Sequence, residues 1–306
     1  MDYSIIVDNL TKKFAGFTAV DHISFQVKRG EVFGFLGANG AGKSTTIRML
    51  CAILNSSSGS AAVAGYDINR QPEMVKRHIG YMSQKFSLYD DLTVEENLRF
   101  FGGIYALEGA KLESRIKWAL QMADLQGRQH LIARSLPLGW KQRLSLGCAA
   151  LHQPEIIFLD EPTGGVDPLA RRIFWDLIDG FAQQGSTVFV TTHYLDEAEY
   201  CTSINLIQAG KIVAAGSPME MKKNCIPYPM YEIASPQPFR IMEILEKAPF
   251  TQEISLFGTN LHLSLTSADV NKNHISAYLS RHNIIPDKLE QVLPSLEDVF
   301  LHVVEK

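Results

Sequence analysis

The stretch that decides the fold of this chain is Gly37-Ala38-Asn39-Gly40-Ala41-Gly42-Lys43-Ser44-Thr45. It places a glycine, four residues and then Gly-Lys-Ser in the frame of a phosphate-binding loop. In such a loop, backbone N–H groups surround phosphate oxygens, the lysine reaches the β- and γ-phosphates, and the serine hydroxyl binds Mg²⁺. The stretch therefore predicts a site for a nucleoside triphosphate.

The flanking residues fit a loop between a strand and a helix. Residues 31–36 form a short apolar run typical of a strand, and residues 46–54 carry apolar side chains at helical spacing. The N-terminus of that helix would direct its N–H groups and its dipole at the phosphate. We therefore expect an α/β domain.

Length and composition allow a large domain with a smaller companion. The chain has 306 residues, of which 46% are hydrophobic and 20% charged, and its formal net charge is −4. This balance gives no electrostatic case for nucleic-acid binding, which favours a basic surface. The cysteines lack CxxC spacing, which favours buried thiols over disulfides or a metal site: Cys51, Cys148, Cys201 and Cys225.

The sequence gives no sign of a membrane segment. It contains no apolar run of about 18 residues, and residues 1–4 lack the features of a signal peptide. We therefore expect a cytoplasmic protein, which would act at a membrane only by docking onto another polypeptide.

Two adjacent acids follow an apolar, strand-like run at 155–159. The carboxyl ends of strands in open α/β sheets border the ligand crevice. Asp160 is predicted to hold the Mg²⁺ shell, and Glu161 to polarise a water.

Two further polar residues end strand-like runs in the same way. Gln84 follows residues 79–83, and His193 follows residues 187–192. A glutamine at that position can turn into the site, and the imidazole could hydrogen-bond a γ-phosphate. Taken alone, Gln84 would be an ordinary loop glutamine, and a lone histidine is usually structural.

Phe14 lies in a polar turn between the strand-like runs of residues 3–35. Its ring could stack on a nucleotide base, but a half-buried core aromatic is also consistent with this position, and the residues alone favour the second interpretation.

Residues 93–133 have the pattern of a helical insertion. Thr93 and Glu96 fit a capping box at its start. An apolar stripe of helical period indicates a packed face: Leu112, Ile116, Ala119, Leu120 and Ala123.

In this order the motifs resemble the ATP-binding cassette, the nucleotide-binding domain of ABC transporters, over about residues 3–220. The positions that carry the resemblance are Phe14 (A-loop), 37–45 (Walker A), Gln84 (Q-loop), 156–161 (Walker B), 164–167 (D-loop, ending in Asp167) and His193 (switch histidine).

The resemblance implies an α/β fold, a P-loop NTPase of the ABC type. This has a RecA-like core, an antiparallel β subdomain and a helical subdomain at about 86–150, all within residues 1–220. It also implies that two cassettes, identical or paralogous, dimerise head to tail around two ATP molecules, with each signature loop capping the partner's nucleotide.

The resemblance also assigns roles at the site. Glu161 is expected to be the general base for hydrolysis, with Lys43 and His193 at the γ-phosphate. The Mg²⁺ ion is expected to lie among Ser44, Gln84 and Asp160.

The signature departs from the family pattern. Leu-Ser-Gly-Gly-Gln is replaced by Leu136-Pro137-Leu138-Gly139-Trp140, although residues 141–144 continue as the family does. Pro137 has neither a hydroxyl nor an N–H to donate to a γ-phosphate. We expect a variant signature that still binds nucleotide through Pro137, Leu138, Gly139 and Trp140, with weaker dimer closure.

Two segments are similar to the subgroup that drives ABC-2-type exporters. Residues 84–98 resemble its permease-facing segment, and residues 294–301 resemble its common C-terminal ending. The resemblance implies an ATPase subunit of an exporter, peripheral on the inner face of the cell membrane through a separate permease.

Residues 221–306 predict a second, accessory domain. The pattern predicts a strand at 230–234, a helix at 238–247, a hairpin of 253–257 with 261–265, a helix at 269–281 and a strand at 288–292. This is the order of a small ferredoxin-like α+β unit, and a further helix is predicted from Ser295. Packing or regulation is the expected role.

Two other functions remain open. A soluble cassette ATPase could remodel ribosomes or other complexes, although such proteins generally carry two cassettes. A regulatory nucleotide-binding subunit with weak turnover would account for the altered signature.

Overall fold

The computed structural model describes residues 3–85 and 87–304. Contacts between residues divide the chain into two compact units, one ending at Pro218 and the next beginning at Met219. No helix within the described ranges is long and apolar enough to span a bilayer.

The first unit combines two sheets with several helices. Its strands are β1 (Tyr3–Phe14), β2 (Phe17–Lys28), β3 (Val32–Leu36), β4 (Ser58–Val63), β5 (Tyr66–Asp67), β6 (Ile79–Met82), β7 (Ile156–Asp160), β8 (Thr187–Thr192), β9 (Ser203–Gln208) and β10 (Lys211–Gly216). Its helices are α1 (Lys43–Leu50), α2 (Pro72–His78), α3 (Val94–Ile104), α4 (Gly109–Met122), α5 (Leu138–Ala149) and α6 (Pro168–Gln183), with short 3₁₀ segments at Ala133–Ser135 and Leu195–Tyr200.

A six-stranded sheet, in the order β10-β9-β3-β8-β7-β6, forms the centre of this unit. Its neighbours are parallel except for the hairpin of β9 and β10. Strands β3, β7 and β8 are buried along their whole length, as parallel strands are when both faces are covered. Their carboxyl ends therefore meet at one edge, where the phosphate loop, Glu161 and His193 follow.

A second, antiparallel sheet has the order β2-β1-β4-β5. β1 and β2 are joined by the two-residue turn at 15–16, in which Gly16 has a φ of 92° and Phe14 pairs with Phe17. The predicted antiparallel subdomain is thus confirmed. Phe14 ends β1 instead of lying in a turn, because the tight hairpin needs only Ala15 and Gly16.

The helical segment packs α3, α4 and α5 around one apolar cluster. The predicted capping box is present: Thr93 accepts from Glu96 N, and the Glu96 side chain accepts from Thr93 N. In the predicted stripe, Ile116, Ala119 and Ala123 are buried, while Leu112 and Leu120 pack against the cluster. Phe86, at the predicted start of this segment, lies outside the described residues.

The second unit has the predicted alternation of strands and helices. After α7 (Pro218–Asn224) come β11 (Met230–Ala234), α8 (Pro238–Leu245), β12 (Thr251–Phe257), β13 (Asn260–Leu265), α9 (Lys272–Arg281), β14 (Lys288–Val292) and α10 (Leu296–Val304). The antiparallel sheet has the order β12-β13-β11-β14, the arrangement of a β-α-β-β-α-β unit. Helix α9 starts later than the residue pattern predicted, at Lys272, because the Asn271 side chain caps it by accepting from the N–H groups of Asn273 and His274.

Candidate nucleotide-binding site

The phosphate loop connects β3 directly to α1. A Cβ atom on Gly37 would lie 2.2 Å from the carbonyl oxygen of Ile207, and Gly42 has a φ of 112°, so both positions require glycine. The first hydrogen bond of α1 joins Thr46 N to Gly42 O. The N–H groups before Thr46 therefore have no partner within the helix and are available to an anion.

Lys43 extends along this loop. Its Nζ donates to the carbonyl oxygens of Gly37 at 2.7 Å and Ala38 at 3.2 Å. It also lies 3.1 Å from Oε1 of Glu161, and its side chain is only 3% exposed. This nearly buried ammonium group thus links the loop to the carboxylate at the end of β7.

Asp160 is bound by hydroxyl donors from two neighbouring elements. Ser44 Oγ donates to its Oδ1 at 3.0 Å, and Thr191 Oγ1 donates to the same atom at 2.7 Å. Burial raises the pKa of the Asp160 carboxyl, and the charge of Glu161 acts in the same direction, whereas the two hydroxyl donors oppose the shift. The paired hydroxyl and carboxylate oxygens are the donor type that Mg²⁺ prefers.

Glu161 is where the predicted catalytic residues converge. Gln84 Nε2 donates to its Oε2 at 3.0 Å, and Nδ1 of His193 lies 3.3 Å from the same atom without the geometry of a hydrogen bond. Lys43 approaches the other carboxylate oxygen. Glu161 has a φ of 48°, an uncommon conformation for a residue with a side chain, which is often found at functional sites.

A cleft of 370 Å³ lies beside these groups. The predicted residues on its lining are Asn39, Gly40, Gly42, Lys43, Ser44, Thr45, Gln84 and Glu161. The aromatic residue on the described lining is Phe17, which belongs to none of the sequence motifs. Phe14 is 42% exposed and therefore not a core residue, and its ring stacks on Phe17 with 5.6 Å between centroids.

The signature residues stand apart from this cleft, since none of Pro137, Leu138, Gly139 and Trp140 is among the described residues that line it. Pro137 precedes α5, and the guanidinium of Arg128 lies 4.3 Å from the Trp140 ring centroid. The prediction for these residues was contact with the nucleotide bound by the other cassette of a dimer, and it stays a prediction.

Asp167 likewise lies outside the described cleft lining. Its carboxylate accepts from Ala170 N at 3.0 Å and caps α6. Its predicted role at the nucleotide stays a prediction.

Two residues at the site were missed from the sequence. Thr191 holds Asp160 and also accepts from the N–H of Glu161 at 3.1 Å. The pair Thr191-Thr192 just before His193 was the available signal, because hydroxyls at the end of a buried strand need partners. Phe17 gave no such signal, since its position at the cleft depends on the pairing of β1 with β2.

The chain matches the ABC transporter family over residues 20–164. It is 34% identical to the Nod factor export ATP-binding protein I of Paraburkholderia xenovorans (strain LB400), over 84% of each chain. It is 52% identical to the probable multidrug ABC transporter ATP-binding protein YbhF of Escherichia coli (strain K12), over 70% of this chain and 37% of YbhF. The match thus spans little more than a third of that relative.

The fold also matches a solved structure of a dimeric bacterial ABC transporter cassette. The TM-score is 0.65 at 25% identity, covering 70% of this chain and 98% of the cassette. The sequence match, the site geometry and the fold agree, and the chain belongs to the ABC transporter family as an ATP-binding cassette.

Proposed function

We propose that this chain binds and hydrolyses ATP and, as one cassette of a dimer, powers export through a separate membrane permease. The observation that carries the proposal is the meeting of Lys43, Gln84 and His193 at the carboxylate of Glu161. Together with Glu161, these groups come from four different segments. Lys43, Gln84 and Glu161 line the cleft that the phosphate loop borders, and His193 reaches Glu161 from outside the described lining. An arrangement of this kind suits the transfer of a phosphoryl group to water.

The nucleotide would lie along the cleft. Its phosphates would take the N–H groups of the loop and of the first turn of α1, with Lys43 moving from the loop carbonyls to the β- and γ-phosphates. The stacked pair of Phe14 and Phe17 offers an exposed aromatic surface to the base.

The oxygen donors of Ser44 and Asp160 fit Mg²⁺, which binds few protein ligands and completes its shell with water and phosphate oxygens. Bound Mg²⁺ would neutralise part of the negative charge of the phosphates. Gln84 is the third proposed ligand, and its amide now contacts Glu161. Among the described residues, no group of three or more His, Cys, Asp or Glu side chains could hold a metal ion, which is consistent with so few protein ligands.

Hydrolysis requires a base and positive charge at the γ-phosphate. Glu161 is placed to accept a proton from the attacking water, and its carboxylate is only 9% exposed. Lys43 and His193 lie on either side of that carboxylate and would contact the γ-phosphate from there. Misalignment of this set would lower the rate more than the affinity.

A second cassette would complete the site. The signature residues of this chain lie off its own cleft, and one solved cassette of the same fold is dimeric. Pro137 removes one donor that the family signature would give to the partner's nucleotide. The dimer is therefore expected to close less tightly than one with the full signature.

The permease would dock on the helical segment. Tyr89, Phe100 and Ile104 are 48%, 41% and 60% exposed, and Tyr89 and Phe100 pack edge to face with 4.5 Å between ring centroids. Phe100 and Ile104 are one turn apart on α3 and share a face. The names of two relatives, a probable multidrug ABC transporter ATP-binding protein and a Nod factor export ATP-binding protein, support a role in export. The ABC-2 type of the permease and the position at the inner face of the membrane rest on the resemblance of residues 84–98 and 294–301 to that exporter subgroup.

The second unit, residues 219–306, is proposed to be an accessory domain that packs or regulates. Its core is closed around its own strands and helices.

The test is ATP turnover by the purified chain beside Glu161→Gln, with size-exclusion chromatography in Mg²⁺-ATP. Turnover by wild type with an ATP-dependent dimer of the variant supports the proposal. Co-purification with a membrane protein supports the transporter role and counts against a soluble remodelling ATPase. Nucleotide binding without turnover favours a regulatory subunit, for which Pro137 is the specific observation.

A further inference from the structure

A buried carboxylate lies behind the candidate site. Glu197, in the 3₁₀ segment after His193, is 0% exposed. Thr163 Oγ1 donates to its Oε1 at 2.5 Å, and Thr192 Oγ1 donates to its Oε2 at 2.6 Å. A buried carboxylate is costly unless its oxygens have partners, so each donor fixes one oxygen.

The two donors adjoin the two groups that meet at the site. Thr192 directly precedes His193, and Thr163 follows Glu161 by two residues. Because Glu161 has a φ of 48°, the turn that follows it must be held by the surrounding structure. The side chain of Glu197 thus binds both Thr163, in the turn after Glu161, and Thr192, directly before His193.

Arg171 connects this carboxylate to α6. Its Nε lies 3.4 Å from Oε1 of Glu197, and its Nη1 donates to Asp196 at 3.2 Å. The guanidinium also lies over the Tyr194 ring, 4.3 Å from the centroid. Since α6 begins just after Asp167, the same cluster joins the loop after Glu161, the residues beside His193 and the start of α6.

We propose that Glu197 is a positioning residue, which fixes Glu161 relative to His193 through Thr163 and Thr192. Glu197, Thr163 and Thr192 are absent from the described lining of the cleft, so their effect passes through the backbone. The inference rests on the proposed hydrolysis of ATP. A displacement of about 1 Å at reacting groups can lower a rate by about 10²-fold, so kcat should respond more than KM.

The experiment uses the full chain with near-isosteric variants. Thr192→Val and Thr163→Val each remove one hydroxyl, Thr192→Ser restores a donor, and Glu197→Gln removes the charge. The matched control is Thr187→Val at the opposite end of β8. The Thr187 hydroxyl is also buried, hydrogen-bonds Ser4 Oγ at 2.7 Å and accepts from Gly30 N at 2.9 Å.

Steady-state turnover, KM for Mg²⁺-ATP and thermal unfolding are measured for each variant. We expect Thr192→Val and Glu197→Gln to lower kcat about tenfold or more, with KM changed by less than about threefold. Thr192→Ser should recover most of kcat, and Thr187→Val should lower Tm but keep kcat.

The outcomes separate this inference from the proposed function. If wild type turns over ATP and both threonine-to-valine variants beside Glu197 keep its kcat, the positioning role is wrong and hydrolysis stands. If Thr187→Val loses kcat equally, the cluster only supports the fold. If wild type shows no turnover, both proposals fall. Should Glu197→Gln not fold, the threonine variants decide.

Discussion

Ser44 Oγ donates to Asp160 Oδ1 at 3.0 Å, although 116 positions separate the two residues in the chain. The contact joins the first turn of α1 to the end of β7. This hydrogen bond places the phosphate loop beside Asp160 and Glu161. Neither sequence motif by itself indicates how close the two segments lie.

Replacing Ser44 by alanine should lower the affinity of the nucleotide site for Mg²⁺. Removing a group that supports a metal site typically lowers metal affinity by about 10–100-fold, so the Mg²⁺ concentration for half-maximal turnover should rise by about one to two decades. The measurement is a Mg²⁺ titration at fixed ATP. Ser60→Ala, an exposed serine of β4, serves as control, and an unchanged titration for Ser44→Ala would contradict the proposed ligand.

Glu161→Gln should abolish turnover while keeping nucleotide binding. Loss of a general base lowers rates by about 10²–10⁴-fold, and the amide keeps the shape that Gln84 and Lys43 contact. Turnover and ATP-dependent dimerisation are measured together. Glu155→Gln, at an exposed side chain just before the same strand, should leave both unchanged; full activity of Glu161→Gln would mean that another group is the base.

Pro137→Ser should strengthen the closed dimer. Serine restores a hydroxyl and an N–H at the start of α5, and serine is itself a good N-cap. A hydrogen bond to a charged group contributes roughly 1.5–3 kcal/mol, so the dimer dissociation constant in ATP should fall by about one to two decades. Sedimentation of the Glu161→Gln background with and without Pro137→Ser measures it. Equal dissociation constants would show that residue 137 makes no contact with nucleotide.

Much of the site could be predicted from sequence because its motifs are local. The phosphate loop needs only Gly37 and Gly42 at fixed spacing, and the acids and His193 end buried strands. Phe17 and Glu197 could not be found in this way. An acid in a short acidic segment has the same pattern whether it is exposed or, like Glu197, buried against Thr163 from a distant loop.

The elements of the fold likewise fall into those that local sequence patterns predict and those that depend on contacts between distant residues. Alternation and helical period predicted most strands and helices, including β11 and β14 with their bounds. The start of α9 was predicted too early because the cap, in which Asn271 Oδ1 accepts from the N–H groups of Asn273 and His274, outweighed the apolar pattern. Sheet order depends on contacts between distant residues, so the resemblance to a family indicated the architecture and local periodicity did not.

His152 should make the first unit sensitive to mild acid. Its ring stacks on Tyr105 with 3.5 Å between centroids, and Nε2–H donates to the carbonyl oxygen of Ile79 at 3.1 Å. Burial lowers the pKa of the imidazole from 6.5 to about 4; the hydrogen bond to Ile79 opposes this shift, and the charge of Arg115 adds to it. The folded chain therefore favours the neutral ring.

The sign of the effect follows from these pKa values. As the pH falls below about 6.5, the His152 imidazole becomes protonated in the unfolded chain, whereas in the folded chain it stays neutral down to about pH 4. The neutral imidazole therefore contributes on the order of 3 kcal/mol to the free energy of unfolding above about pH 6.5. This contribution is lost as the pH falls from about 6.5 to about 4. His152→Phe keeps the stacking and removes the titration, so its free energy of unfolding should fall less between pH 7.5 and pH 4.5 than that of wild type.

Urea unfolding followed by tryptophan fluorescence measures this difference, because Trp118, Trp140 and Trp175 all lie in the first unit. The two proteins differ only at position 152, so the comparison isolates this side chain. His282→Phe, a substitution in the second unit, should behave as wild type. Equal loss of stability in wild type and His152→Phe would mean that the imidazole is protonated in the folded chain as readily as in the unfolded one.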